Sequence, residues 1–444
     1  MKRVNSSRTA AILAAMVMMT GCGSASGGTA SEVKLGTNNL AAGNDVPKSN
    51  VEYVTRFDDS GDRPEDKENA YYGDYVNMDK AALKMLGKCL EAEKGGNVLI
   101  SPFSIEMAFG MVENGADGNN LSEMEKVIGG GVGISDMNKD LGYLSGKMSS
   151  NQDVNWNVAN SIWVNTPDSN NIRLKDDYLK TVKSYYAPVV TGLPFDDKAK
   201  DTINEWVSNE TYGMIPTIIG ETPQGSVMLI NAVAFKGEWN EAFSDDQIIE
   251  DYEFTNDDGE VSTVTMLSGE CGKYFTFGRG QGFQVDYKGG EYSFVGILPP
   301  SDQTLSEFVN SLIEEDESIV EDIEFFSTKK CYYKLPEFKT EYSAEMVDPL
   351  KSLGINNAFN PDADFSKMWD GQLYISRVIH KTYIDVNREG TEAAAATAIE
   401  MTEGCVMEAP ENPIVIELDR PFIYLIIDNE TNMPIFMGAQ NTMK

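Results

Sequence analysis

A chain of 444 residues with 41% hydrophobic content, 19 Phe, 19 Tyr and 5 Trp can bury a large core. Its formal charge of -34 would repel phosphate backbones and anionic membrane surfaces, which argues against nucleic-acid binding. A single histidine, His380, excludes His-rich zinc sites such as H-E-x-x-H, and no metal or cofactor is expected.

At the start of the chain, Lys2, Arg3 and Arg8 precede an apolar run from Ala10 to Met19. The run is too short to span a bilayer and suits a signal peptide over residues 1–21. Thr20 and Gly21 before Cys22 resemble the bacterial lipobox, with Met19 standing where leucine is usual. Lipidation of Cys22 would hold an exported protein at the cell surface as a membrane-anchored lipoprotein; without it the chain would be secreted. From residue 22 to 72, Gly, Ser, Thr, Asn, Asp and Glu crowd out apolar runs, the composition of a flexible acidic and polar tether. Asp58, Ser60 and Asp62 have the spacing of a calcium loop, but Arg63 occupies the position that needs glycine.

Helical periodicity begins at Tyr75, with Met78, Ala82, Leu86, Cys89 and Leu90 on one face and Gly95 and Gly96 ending it. A second helix is expected with Ser104 as its cap and Ile105, Ala108, Phe109 and Val112 inward. Val154, Trp156 and Val158 alternate with asparagines as in a strand, and Ile203, Trp206 and Val207 mark another amphipathic helix. From Val227 strands dominate, over 227–235, 252–254 before a turn at 256–259, 293–300, 331–338 and 421–428. Helices early and strands late predict an α+β fold with large mixed or antiparallel sheets, in one domain from 73 to 444. Cys89, Cys271, Cys331 and Cys405 show no C-x-x-C spacing and are expected as free thiols, with Cys405 exposed.

His380 lies in a strand-like segment, with Val378 and Thr382 on its face and Ile379 and Tyr383 opposite. A lone histidine there is more often a buried hydrogen-bonding residue than a general base, although a Ser or Cys nucleophile could use it. No nucleophile elbow, phosphate loop or dinucleotide fingerprint is present. The tract GTEAAAATAIEMTE at 390–403 fits two structures. Its alanines and glutamates favour a helix. With period two, Thr391, Ala393, Ala395, Thr397, Ile399 and Met401 instead share one face of a half-buried strand.

Residues 387–398, NREGTEAAAATA, resemble the reactive-loop hinge of serpins, protease inhibitors that insert their own loop into a sheet. The similarity covers most of residues 75–444. NVLISPFSI (97–105), INAVAFKGEW (230–239), LPEFKTEYS (335–343), ADFSKM (363–368), VIHKTYIDVNREGTEA (378–393), IELDRPFIYLI (416–426) and IFMG (435–438) follow in the family's order. The resemblance implies a serpin fold with N-terminal helices and an exposed reactive centre loop at about 388–413. It implies a hinge at Gly390, Thr391, Glu392, Ala393, Ala394, Ala395 and Ala396. It also implies a shutter of Ser101, Ser104, Asn231 and His380 beneath the point where the sheet opens, and Trp239 at the breach where the loop first enters.

By the same resemblance the chain is no enzyme; it is a monomeric suicide inhibitor that forms a covalent complex with a serine, or cysteine, protease. Family spacing from Gly390 places the cut between Gly404 and Cys405, but the stretch to Pro421 is long, and Met401 or Met407 could precede the cut instead. None of these residues is basic, which points to elastase-, subtilisin- or chymotrypsin-like targets. Arg388 departs from the family's usual Glu. A non-inhibitory serpin fold used for binding or adhesion at the cell surface is the alternative.

Overall fold

Apolar spacing builds the helical layer. In the computed structural model, which describes residues 72–166, 174–186, 189–326, 330–391 and 413–444, α1 (Tyr72–Glu93) buries Met78, Ala82, Leu86, Cys89 and Leu90 as its periodicity predicts. In α2 (Pro102–Glu113) all twelve residues are buried. Its cap is Ser101, whose hydroxyl accepts the Ser104 amide, and Pro102 follows at a position with no amide to satisfy. The expected cap, Ser104, instead lies inside the first turn. Around α2 pack α3 (Gly118–Val127), α4 (Ile134–Ser150) and α5 (Asp176–Tyr186). Next come α6 (Asp197–Glu210), α7 (Leu305–Glu314), α8 (Ile319–Asp322) and α9 (Val347–Leu353), the last three against α1.

The strands form three sheets. A seven-stranded sheet runs β1 (Val98–Ile100), β17 (Pro434–Gln440), β16 (Phe422–Asp428), β9 (Tyr292–Leu298), β8 (Gly280–Asp286), β7 (Lys273–Phe277) and β10 (Glu324–Phe326). A four-stranded sheet runs β15 (Ile414–Glu417), β11 (Cys331–Pro336), β6 (Val261–Cys271) and β5 (Ile248–Thr255). The central six-stranded sheet runs β12 (Phe338–Glu345), β13 (Ile375–Asn387), β14 (Gly390–Thr391), β4 (Val227–Glu238), β2 (Val154–Asn165) and β3 (Val189–Leu193).

Strand β4 is covered on both faces, so its sequence from Val227 to Phe235 is apolar at every position but Asn231 rather than alternating. Leu229, Val233 and Phe235 face the main core. Met228 and Ile230 meet a second cluster, where Ile203 and Val207 of α6 and Ile215, Ile218 and Ile219 beyond it lie over the sheet together with Ile379 of β13.

The expectation of free thiols is corrected at two positions. Cys271 and Cys331 stand directly opposite each other on the antiparallel pair β6 and β11 and form a disulfide. Sixty residues separate them in the chain, so only the sheet register brings them together. Cys89 is a buried free thiol. Cys405 lies outside the described residues, as do the signal-peptide, Cys22 and tether assignments.

Candidate functional site at the seam of the central sheet

The central sheet contains an unusual junction. Strands β13 and β4 are parallel and pair directly through eight residue pairs, from Ile375 with Val227 to Tyr383 with Ala234. Beyond Tyr383 they part, and β14 sits between them, antiparallel to both. Thr391 pairs with Val386 on one side and Gly237 on the other; Gly390 pairs with Asn387 and Glu238. A closed parallel ladder thus ends in a fork that already holds two residues of the following segment.

The fork admits these residues for identifiable reasons. Gly390 has φ 152, and a Cβ there would lie 2.1 Å from the Gly237 carbonyl oxygen, so only glycine fits. Thr391 is fully buried, and its hydroxyl meets the Tyr287 hydroxyl at 2.6 Å. Trp239 stacks on Tyr287 with ring centroids 4.8 Å apart. Its indole N–H donates to the Asn387 carbonyl at 2.8 Å, and its backbone N–H donates to that of Glu389. Arg388 is fixed by Glu337: its amide and guanidinium Nε donate to one carboxylate oxygen at 2.9 and 3.1 Å, and Nη2 to the other at 3.2 Å. The charged fork holds the turn that leads into β14.

About midway along the seam lies a polar row. Register places Asn160 of β2 opposite Asn231 of β4, and Asn231 opposite His380 of β13. The Ser101 amide donates to His380 Nε2 at 3.1 Å, which puts the ring proton on Nδ1, where it is given to Asn231 Oδ1. Asn231 Nδ2 faces the Ser104 carbonyl and Asn160 Oδ1, both at 2.6 Å, and the Ser104 hydroxyl. Burial holds the imidazole down to about 3, so it is neutral at physiological pH. The Ser101 hydroxyl donates to the Ile435 carbonyl and not to the ring. With both ring nitrogens occupied, His380 has no lone pair left for a nucleophile. Ser101, Ser104, Asn231 and His380 therefore form one cluster that bridges the β13–β4 seam and ties it to the start of α2.

Sequence reasoning missed Asn160, Tyr287, Glu337 and Thr382, whose hydroxyl donates to the Leu99 carbonyl at 2.6 Å. Asn160 carried a readable signal, since period two from Val154 puts it on the otherwise apolar inward face of β2. Tyr287 and Glu337 had none, because they come from distant parts of the chain. Glu392, Ala393, Ala394, Ala395 and Ala396 of the hinge, and Met401, Gly404, Cys405 and Met407 at the candidate cut, lie outside the described residues. Among the described residues no group of three His, Cys, Asp or Glu side chains is placed to hold a metal.

Comparison with known proteins agrees with this architecture. The family profile described as Serpin (serine protease inhibitor) matches residues 76–442. An uncharacterized serpin-like protein of Methanosarcina mazei is 31% identical over 354 residues, covering 77% of this chain and 80% of its own. The leukocyte elastase inhibitor of Bos taurus is 31% identical over 374 residues, covering 78% of this chain and 93% of its own. The crystal structure of the thermophilic serpin tengpin in the native state superposes with a TM-score of 0.75 at 33% identity, covering 89% of this chain and 97% of that one. With a family profile spanning most of its length and a matching sheet architecture, the chain belongs to the serpin family and has the serpin fold.

Proposed function

We propose that this chain is an irreversible inhibitor of serine proteases that acts outside the cell, held at the surface through a lipidated Cys22. The observation that carries the reading is the two-residue β14 wedge at the mouth of a closed parallel seam. A protease serine attacks a carbonyl in the 392–412 segment, forms an acyl ester with it and releases the downstream amine. The freed end then continues from Thr391 as an antiparallel strand between β13 and β4. Thr391 faces Tyr287 and the core, so period two sends Ala393, Ala395, Thr397, Ile399 and Met401 to the same side. These side chains are small near the fork, where overpacking would be felt most, and larger beyond it.

One parallel ladder is lost and two antiparallel ones form. About a dozen inserted residues at ~1 kcal/mol net per hydrogen bond give on the order of 10 kcal/mol, enough to drag and distort an attached protease before water cleaves the ester. Gly404–Cys405 is the first candidate for the cut, with Met401 and Met407 as the other positions. Elastase-, subtilisin- and chymotrypsin-like enzymes are the targets such residues suit, and similarity to a leukocyte elastase inhibitor supports the choice.

Incubation with an elastase or a subtilisin, followed by denaturing electrophoresis, tests the reading. A band of protease plus chain that survives boiling is expected, and sequencing the released C-terminal peptide locates the cut. Cleavage without such a band would make the chain a substrate-like binding protein instead.

A further inference from the structure

Three carboxyl groups are buried in the helical layer with no cation facing them: Asp79 of α1 at 1% exposure, and Glu106 and Glu113 of α2 at 2% and 0%. Glu106 and Glu113 are seven residues apart and so share a face of α2, two turns from each other. Asp79 uses one oxygen to accept from the Ser318 hydroxyl at 2.9 Å and from the Ile319 and Val320 amides at the start of α8; its other oxygen has no partner. One oxygen of Glu106 and both oxygens of Glu113 also lack partners.

The groups around them are acidic or neutral. Glu106 faces Asp79 and Glu113; Asp79 also feels Asp322 of α8. Glu113 faces Glu125 of α3 and the Tyr186 hydroxyl of α5. From α4 comes Asn138, which is bonded to Asn114 and Tyr186. An ionised carboxylate in such surroundings carries a large desolvation penalty and finds no compensating charge. Burial, and then the like charges, push Glu113 up to about 8 and Glu106 well above the usual range; burial pushes Asp79 up to about 7 against the hydrogen bonds it accepts from Ser318, Val320 and Ile319.

Glu106 and Glu113 sit on α2, whose start is bonded to the β13–β4 seam. Ser104, two residues before Glu106, grips Asn231 and Asn160, and Ser101 grips His380. We infer that Glu106 and Glu113 are neutral acids in the native fold and that α2 is a pH-sensitive strut: as their protons leave with rising pH, the helix loosens at the shutter and the β13–β4 seam opens more readily. A group whose folded pKa is raised favours the folded state below its unfolded value, near 4.5, and loses that advantage progressively up to its folded value. The native seam is then tightest in mildly acid surroundings and weakens between pH 5 and about 8.

The inference does not depend on protease trapping, because it is read on the free protein. Hydrogen exchange of the amides in 227–234 and 375–383 of the full chain, corrected for intrinsic rate, is followed from pH 5.5 to 8.5. Wild type is expected to show seam opening that rises by up to about tenfold per pH unit for each carboxyl the opening hydrates. The isosteric double variant E106Q/E113Q should be nearly flat. Wild-type protection that does not change with pH, or an equal slope in the double variant, would overturn the inference. Should the double variant fail to fold, E113Q alone serves: with one of the two carboxyls left its slope should be shallower than that of wild type, and an unchanged slope rejects the proposal equally.

Discussion

On the proposed mechanism, Thr391 is the residue at which loop becomes strand. It is fully buried before any cleavage, against Tyr287 and between Val386 and Gly237. Thr391→Arg would force a guanidinium into this site, where neither Tyr287 nor the stacked Trp239 offers a negative charge. The expected result is that cleavage by the target protease persists while the boiling-resistant complex falls by at least about tenfold, a loss of ~1.4 kcal/mol or more in the partition toward trapping. Thr391→Ser, which keeps the hydroxyl, should trap as wild type does. Equal complex yield from the arginine variant on the same gel would sink the insertion mechanism. Arg388, read from the sequence only as a departure from the family's Glu, gains a definite role from Glu337, which was not visible because it lies 51 residues upstream.

Among the elements, much was legible and the failures have physical causes. Strands β4 and β13 and helices α1 and α6 follow from runs and periodicities that burial later matches. The cap of α2 was misplaced because Ser-Pro-x-Ser offers two hydroxyls; Pro102, lacking an N–H, belongs at the first helical position and marks Ser101 as the cap. That Ser101, Ser104, Asn231 and His380 lie together was legible only through family resemblance, since nothing local relates Ser101 to His380. The disulfide was illegible in principle, because the register of β6 on β11 decides it. It closes a long loop beside the strand pair Cys331–Ile414, through which β15 receives the chain after the 392–412 segment. Cys331→Ser should therefore lower stability by about 2–4 kcal/mol. That corresponds to a drop of ~3–5 °C in the thermal midpoint of a domain of this size. Peptide mapping without reductant checks the pairing directly: a Cys271–Cys331 linked peptide and an unlinked Cys89 are expected, and an unlinked Cys271 would disprove it.

At the scale of the whole molecule, the central sheet is closed along most of one seam and forked at its end. Strands β13 and β4 are parallel neighbours, yet β14 shows that a strand antiparallel to both fits between them. Three things keep the rest of the seam closed: its own ladder, the His380–Asn231 contact across it, and the apolar cover of Ile203, Val207, Ile218 and Ile219 that lies over β4 and Ile379. While the chain is intact, the segment is tied at Thr391 in one sheet and at Ile414 in another. Cutting it removes the second tie. Cleavage within 392–412, even by a protease that is not trapped, should therefore yield a more stable molecule rather than a nicked and weaker one. With on the order of 10 kcal/mol gained and an unfolding entropy of about 2 cal/mol/K per residue, the thermal midpoint should rise by roughly 10–15 °C. Calorimetry of intact and cleaved protein measures this, and a midpoint that stays level or falls would show that the open seam is not a vacancy for the loop.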